Sequence, residues 1–315
     1  MPPLFSVIIA TYNRANLLPR ALESVWGQQY TDFEVIVVDD GSTDGTLAYL
    51  ATLGERVRIF SQTNQGPGAA RNLGAKNAQG DYLVFLDSDD VWFPWALSTF
   101  AEVVTRHNRP DFISARPRDF LVEGELDQVQ HERLSVEVFT DYYAASRTGY
   151  FVGANMMVLR RSAFDAVNGF GSKKIYAEDC DLSLRLGLAQ GFVQILTPVT
   201  LGSRNHPASA RHDRDLMIEG MENLIRSERD GLYLGGGVRR IERLRLITMF
   251  TRPVSVGSLR EHYQRQGWRL YWGTFTWHVR IARWKYLLGF PAMALGCALG
   301  LRRPAAQREL SRQAL

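Results

Sequence analysis

The chain has 315 residues, enough for a substantial core and about two domains, with 45% hydrophobic and 22% charged residues, the ordinary balance of a folded protein. Two cysteines, Cys180 and Cys297, exclude a disulfide framework and lack metal-ligand spacing, so each reads as a buried thiol in a reducing, cytoplasmic setting. The net charge of +4 hides an asymmetry: from Arg239 onward 15 Lys+Arg face three Glu, a surplus of +12, whereas residues 1–238 carry −8. An acidic front joined to a basic tail implies two functional regions, the tail facing something anionic. No nucleic-acid motif accompanies that charge, so nucleic acid is not expected as a partner and a membrane surface is favoured. The apolar stretch Leu4 to Ala10 lacks a basic flank and is too short for a signal segment or a span; it reads as a first strand.

In chain order, Ser6 to Thr11 is a buried strand, followed by Leu17, Leu18, Ala21, Leu22 and Val25 at helical spacing. Phe33 to Val38 is a second strand, closed by Asp39-Asp40-Gly41-Ser42, and Ser42-Thr43-Asp44 offers N-caps for a helix through about Leu53. Val57 to Phe60 is a short third strand, the Gly-Pro-Gly turn at 66–68 opens a helix through Lys76, and Asp81 to Leu86 is the fourth strand. Further on come strands at Phe112 to Ala115, Asn155 to Leu159 and Val193 to Val199, a helix at Arg161 to Val167, and a leucine-rich helix from Glu178 through Leu188. Strands alternating with helices predict an α/β fold with a mostly parallel sheet flanked by helices.

Residues 85–90 read Phe-Leu-Asp-Ser-Asp-Asp at the end of the fourth strand. Carboxylates crowded beside an apolar strand carry desolvation and repulsion costs, which a divalent cation or an arginine offsets. In an open α/β sheet, ligands bind beyond the carboxyl ends of the strands. Every polar cluster sits at such an end: Thr11 to Arg14, Asp39 to Ser42, Asn64 to Gly66, and Asp87 to Asp90. Four loops converging on one edge predict a single site.

The runs Ser6 to Arg14, Val37 to Thr46, Asn64 to Asn72 and Phe85 to Asp90 resemble, in order and spacing, the motifs of family-2 glycosyltransferases over about residues 4–206. The resemblance implies a GT-A fold and inverting, metal-dependent transfer of a sugar from a nucleotide-diphosphate donor to an acceptor hydroxyl. It sets Ala10, Thr11, Tyr12, Arg14, Gly41, Asn64, Gly66, Asp87 and Ser88 around the nucleotide-sugar. Asp40 would accept from the base and Asp39 shape the turn, although the sequence does not separate these two aspartates. Arg71 would contact base or phosphate. Asp89, with His206, would ligate Mn²⁺ or Mg²⁺ at the diphosphate. Glu178-Asp179 resembles the family's Glu-Asp motif, with Asp179 as general base, and Gly153-Ala154-Asn155 resembles an acceptor-side element. UDP is the favoured nucleotide, with GDP and dTDP open.

The implied organisation is a catalytic domain at 1–214, with nucleotide-sugar binding in 1–110 and an acceptor-side half in 111–214, followed by a basic, aromatic-rich helical region at 215–315. In that region Arg239, Arg240, Arg243 and Arg245 cluster, and Trp268, Tyr271, Trp272, Phe275, Trp277 and Trp284 intersperse with cations, a pattern suited to an anionic membrane interface. Tyr286 to Leu301, 16 residues, falls short of the roughly 20 needed to span. Monotopic attachment is the expectation, against a helical cap or an oligomer interface, and the oligomeric state stays open. The expected acceptor is a glycan or lipid-linked sugar of surface polysaccharide synthesis, at the cytoplasmic face of the inner membrane. The competing readings are a sugar-1-phosphate nucleotidyltransferase and an inactive nucleotide-sugar-binding scaffold.

Overall fold

A computed structural model describes residues 2–150, 152–171, 177–205, 213–260 and 263–299. They form two compact units, one spanning 1–145, 152–174 and 178–208, the other 146–151, 175–177 and 209–315.

The first unit opens with β1 (Phe5–Thr11), α1 (Leu18–Trp26), β2 (Phe33–Asp39), α2 (Thr46–Ala51), β3 (Arg58–Ser61), α3 (Pro67–Lys76) and β4 (Tyr82–Asp87). It continues with β5 (Val91–Trp92), α4 (Ala96–Arg106), β6 (Phe112–Ser114), β7 (Pro117–Phe120), β8 (Ser135–Phe139), β9 (Met157–Arg160), α5 (Arg161–Ala166), α6 (Glu178–Arg185), β10 (Phe192–Thr197) and β11 (Leu201–Arg204). Eight strands form one sheet in the order β3-β2-β1-β4-β9-β6-β10-β8, and β5-β11-β7 form a smaller one. Strands β3, β2, β1 and β4 run parallel, in a register that sets Thr11 beside Asp39, Asp39 beside Ser61 and Ala10 beside Asp87. This register is why four separate loops share one edge.

Strand β9 runs antiparallel to both β4 and β6, with Val84 beside Val158 and Ser114 beside Met157. Its reversed direction carries the residues before it, 153–156, back to the carboxyl edge of β4. Side chains alternate across the strands: Phe5, Val7 and Ile9 join Leu18, Leu22 and Val25 of α1 and Leu97, Phe100 and Val104 of α4 in one buried core. On the opposite face α3 lies so close to β1 that a Cβ on Gly74 would stand 2.5 Å from Ile8 Cγ2. Only glycine permits that approach.

Several expectations are corrected in detail. The second helix is shorter, with Gly45 as its N-cap, because the Asp44 carboxylate accepts from the Thr46 (2.9 Å) and Ala15 (3.1 Å) N–H groups. The leucine-rich helix stops at Arg185 and tightens into a 3₁₀ turn over Leu186–Leu188, where Gly187 lies under the Tyr143 ring. Strand β10 ends before Pro198, which has no N–H to continue the ladder. Two further elements, β5 and α4, occupy 91–110, a stretch with no expected element.

The second unit contains α7 (Arg214–Arg229), α8 (Arg240–Arg260), α9 (Gln264–Arg280) and α10 (Trp284–Ala298). No helix of the described residues is long and apolar enough to cross a membrane. Much of the aromatic stretch is core rather than interface: Tyr271 and Trp277 are buried, and Tyr271 stacks on Phe290 with centroids 4.6 Å apart. Only Trp272 and Trp284 among the six named aromatics are exposed. Arg243 leaves the surface cluster as well, because it is buried in a two-pronged ion pair with Glu228 (2.7 and 3.2 Å).

Candidate functional site

The loops after β1 and β2 are tied together by backbone amides. Asn13 donates its N–H to Ser42 Oγ (2.9 Å) and accepts from the Thr43 N–H (2.7 Å), and the Arg14 N–H donates to Thr46 Oγ1 (3.0 Å). Asp39 and Asp40 are both buried, yet their partners separate them. Asp39 accepts from the Gly41 (3.2 Å) and Ser42 (3.1 Å) N–H groups and so shapes its own turn. Asp40 reaches across to the loop after β3, accepting from Gln62 Nε2 (2.7 Å), the Gln65 N–H (2.9 Å) and the Gly66 N–H (2.8 Å). That uses three of the roughly four acceptor sites a carboxylate has. Tyr12 is 44% exposed beside this clamp, Asn64 is exposed, and Thr11 is buried.

At the end of β4 the carboxylates diverge. Asp87 is held by Arg71 Nη2 (2.6 Å). Ser88 is buried, and Asp89 turns toward Arg14 Nη2 at 3.7 Å while its carbonyl accepts from Arg204 Nε (3.2 Å). Asp90 points inward, accepting from Asn155 Nδ2 and from the Arg204 N–H (2.8 Å). Burial first, then the charges of Asp87 and Asp89, push the Asp90 carboxyl well above its ordinary value. Asp90 thus fastens the acidic loop to Asn155 and to β11.

Arg71 is the hub between the two halves of the site. Buried on α3, its guanidinium bonds Asp87 on one side and Glu178 on the other, with its centre 5.4 Å from the Phe170 ring. Phe170 is fixed in turn by a reciprocal pair with Asn72: the Asn72 amide donates to the Phe170 carbonyl (2.9 Å) and accepts from its N–H (2.8 Å). The start of α3 comes so near that a Cβ on Gly68 would lie 2.7 Å from Glu178 Oε2. One guanidinium thus faces Asp87, Glu178 and Asp179, and those charges raise its pKa against the cost of burial.

Glu178 and Asp179 begin α6, but they point to different partners. Glu178 is committed to Arg71, and burial raises its pKa despite that cation. Asp179 accepts from the Cys180 N–H (2.7 Å), and its Oδ2 would stand 3.7 Å from a Cβ on Gly153. Burial lifts its pKa, opposed by the Cys180 N–H and by Arg71. The predicted base and the predicted acceptor segment Gly153-Ala154-Asn155 are therefore adjacent. His206 lies outside the described residues.

Among the described residues no three His, Cys, Asp or Glu side chains group tightly enough to enclose a metal ion. The donor set still suits Mg²⁺ or Mn²⁺, which take oxygen ligands and use one or two carboxylates together with substrate phosphates. Asp89 supplies such oxygens beside Arg14, while Asp87 is held by Arg71. Sequence reasoning missed Gln62 and the Arg204–Glu123 pair (2.7 Å). These act from positions distant in sequence and carry no motif.

The comparisons with known proteins agree with this geometry. Residues 6–167, just over half the chain, match the family described as glycosyl transferase family 2. An uncharacterized glycosyltransferase of Rickettsia felis is 50% identical over 90 residues, 28% of this chain and 15% of that protein. One from Nostoc sp. is 32% identical over 186 residues, 56% of this chain and 57% of its own length, so the chain spans well under two thirds of these relatives. Among solved structures, S. aureus TarS 1-349 in complex with UDP-GlcNAc has a TM-score of 0.61 at 19% identity, covering 95% of this chain and 92% of that one. The mannosyltransferase PcManGT from Pyrobaculum calidifontis, in complex with GDP-Man and Mn²⁺, has a TM-score of 0.53 at 17% identity, covering 94% and 88%. At such identities the likeness is one of fold, the GT-A arrangement of a mostly parallel sheet flanked by helices. The nucleotidyltransferase reading falls away: the chain belongs to glycosyl transferase family 2.

Proposed function

We propose that the protein transfers a sugar, with inversion, from a nucleotide-diphosphate donor to an acceptor hydroxyl on a membrane-borne glycan or glycolipid of surface polysaccharide synthesis. The cytoplasmic face is the expected location and a UDP-sugar the favoured donor, in line with the TarS complex, while the PcManGT complex keeps GDP in view. The observation that carries this reading is the Arg71 bridge: it sets the donor-side Asp87 and the Glu178–Asp179 pair at one sheet edge.

In the reaction, Tyr12 and the Asp40 clamp receive the nucleotide, and Asp87 takes the ribose side. Asp179 accepts the proton of the acceptor hydroxyl as that oxygen bonds to the anomeric carbon. The bond from that carbon to the phosphate oxygen breaks, and the nucleoside diphosphate leaves with the electron pair. A hydroxyl is a poor nucleophile without such a base. A divalent ion held by Asp89 would supply Lewis-acid stabilisation of the negative charge on the leaving oxygens. Glu178 and Arg71 position the base and the donor loop.

The test needs no known acceptor. A panel of nucleotide sugars with Mn²⁺ is followed by binding and by slow donor hydrolysis, with Asp179→Asn as the comparison. One donor bound and hydrolysed, with hydrolysis lost and binding kept in Asp179→Asn, is the expected result. Unchanged turnover in that variant removes Asp179 as the base.

A further inference from the structure

The second unit gathers cations where α9 ends and α10 begins alongside α8, and exposed apolar side chains along α10. Trp277 of α9 lines a cavity of about 560 Å³ together with Gly235, Gly237 and Arg240 at the start of α8. The Arg283 N–H donates to the His278 carbonyl (2.9 Å) as the chain turns into α10, and the Tyr286 hydroxyl meets Ser255 Oγ on α8 (2.7 Å). Arg245, Arg252 and Arg283 are half-buried in this corner, with Lys285 exposed beside them. None of the four has a carboxylate partner among the described residues. Burial, then the charges of Arg252 and Arg245, push the Arg283 guanidinium below its ordinary value, and burial with Arg283 and Arg252 holds the His278 ring down at about 3.

Relief does not come from the sequence nearby. From Arg243 to Leu299 the chain has one acidic residue, Glu261, and beyond Leu299 four further arginines face only Glu309. The corner is therefore open to an external anion.

Helix α10 adds the apolar half. One side of it, Tyr286, Leu287 and Phe290, is buried against Tyr271 and Leu259. The other side carries Trp284, Leu288, Leu295 and Leu299, spaced four, seven and four apart, which places them on a single stripe. These side chains are 55%, 75%, 61% and 62% exposed. A helix apolar all round belongs in an apolar medium on both sides. At 15 residues α10 is too short to cross a bilayer, but its exposed apolar stripe suits a helix lying along one. A second copy docked symmetrically through the same face would cover the leucines but set the same cations against one another, with no counter-charge.

We propose that α10 and the cationic corner at its start form a docking surface for an anionic phospholipid bilayer. Leu288, Leu295 and Leu299 enter the acyl boundary, Trp284 sits at headgroup level, and Arg252, Arg283 and Lys285 hold lipid phosphates. The inference rests on the reading of the acceptor as membrane-borne and deepens it, since docking would bring the enzyme to that acceptor's surface.

The test is co-sedimentation of the full chain with phosphatidylcholine vesicles and with vesicles containing phosphatidylglycerol. Binding to the anionic vesicles alone, weakened by salt, is expected. Lys285→Glu, at an exposed position, should lower partitioning by about fivefold or more. Leu288→Ser with Leu295→Ser, also exposed, should lower it by about tenfold or more. No sedimentation with anionic vesicles, variants that sediment like the parent, or a dimer that Leu288→Ser dissociates in the absence of vesicle binding would each overturn the proposal. Donor hydrolysis in lipid-free solution should be the same in parent and variants. Its absence in the parent would count against the transfer reaction, leaving the vesicle result to judge the docking surface.

Discussion

Glu178 and Asp179 occupy consecutive positions at the start of one helix, and the difference in their roles comes from what faces them. Arg71 takes the Glu178 carboxylate, while Asp179 accepts from the Cys180 N–H and stands beside Gly153. Asp179→Asn keeps the shape and removes the proton acceptor, so steady-state transfer should fall by about 10²–10⁴-fold with donor affinity nearly unchanged. Because burial raises the Asp179 pKa, the base becomes protonated at a higher pH than an ordinary aspartate would. The acidic limb of kcat/KM against pH should therefore lie above the usual aspartate range, with activity lost as pH falls through it. Arg71 lowers that pKa, so Arg71→Gln should move the limb further up. It also strips the counter-charge from Glu178 and Asp87, and urea unfolding should register a loss of about 3–5 kcal/mol. An unshifted limb in that variant would separate Arg71 from the base.

At the scale of elements, helix α3 links stability to the site, since it carries Arg71 at one point and rests on β1 through Gly74 at another. A side chain at Gly74 must displace Ile8 or lift the helix. Gly74→Val should cost about 1–3 kcal/mol by overpacking and lower activity beyond what the unfolded fraction explains, because the Arg71 bridge moves with the helix. Calorimetry with turnover at a temperature well below Tm checks this. The legible elements are those whose signal is local. The first four strands declare themselves as apolar runs ended by polar loops, and their parallel register then makes the converging site follow. Helix α4 was equally readable, for Leu97, Phe100, Val103 and Val104 keep helical spacing. Strands β7 and β11 were not, because each is four residues long and exists by pairing with the other across some eighty residues. The same limit hid the division between Asp39 and Asp40. They are neighbours in sequence, and only Gln62, Gln65 and Gly66, brought by the next strand, distinguish them. The aromatic tail divides for a related reason: composition announces an interface, yet a small helical unit also needs its own core, and Tyr271, Trp277 and Phe290 fill it while Trp272 and Trp284 stay exposed.

For the whole molecule, ligand and metal should act on the folding equilibrium together. A ligand that binds only the native chain stabilises it by RT ln(1 + [L]/Kd), about 2.7 kcal/mol at a hundredfold excess over Kd. On the proposed roles, the exposed Tyr12 and the Asp40 clamp meet the base, while the phosphates meet Asp87 and Asp89, whose charge Arg71 and Arg14 offset only in part. A nucleoside diphosphate alone therefore meets repulsion, and one accompanied by Mn²⁺ does not. Thermal melts should show a small rise in Tm with UDP in EDTA and a larger rise with UDP and Mn²⁺, the excess being the coupling between the two ligands. Asp89→Asn should erase the excess while keeping the small rise, since the base-side clamp is untouched. Metal alone should shift Tm little, because no three acidic or histidine side chains of the described residues enclose it and the phosphates must complete its shell. Equal shifts with and without Mn²⁺ in the parent chain would mean that the acidic loop accommodates the diphosphate by some other cation, and Arg14, 3.7 Å from Asp89, would then be the residue to substitute.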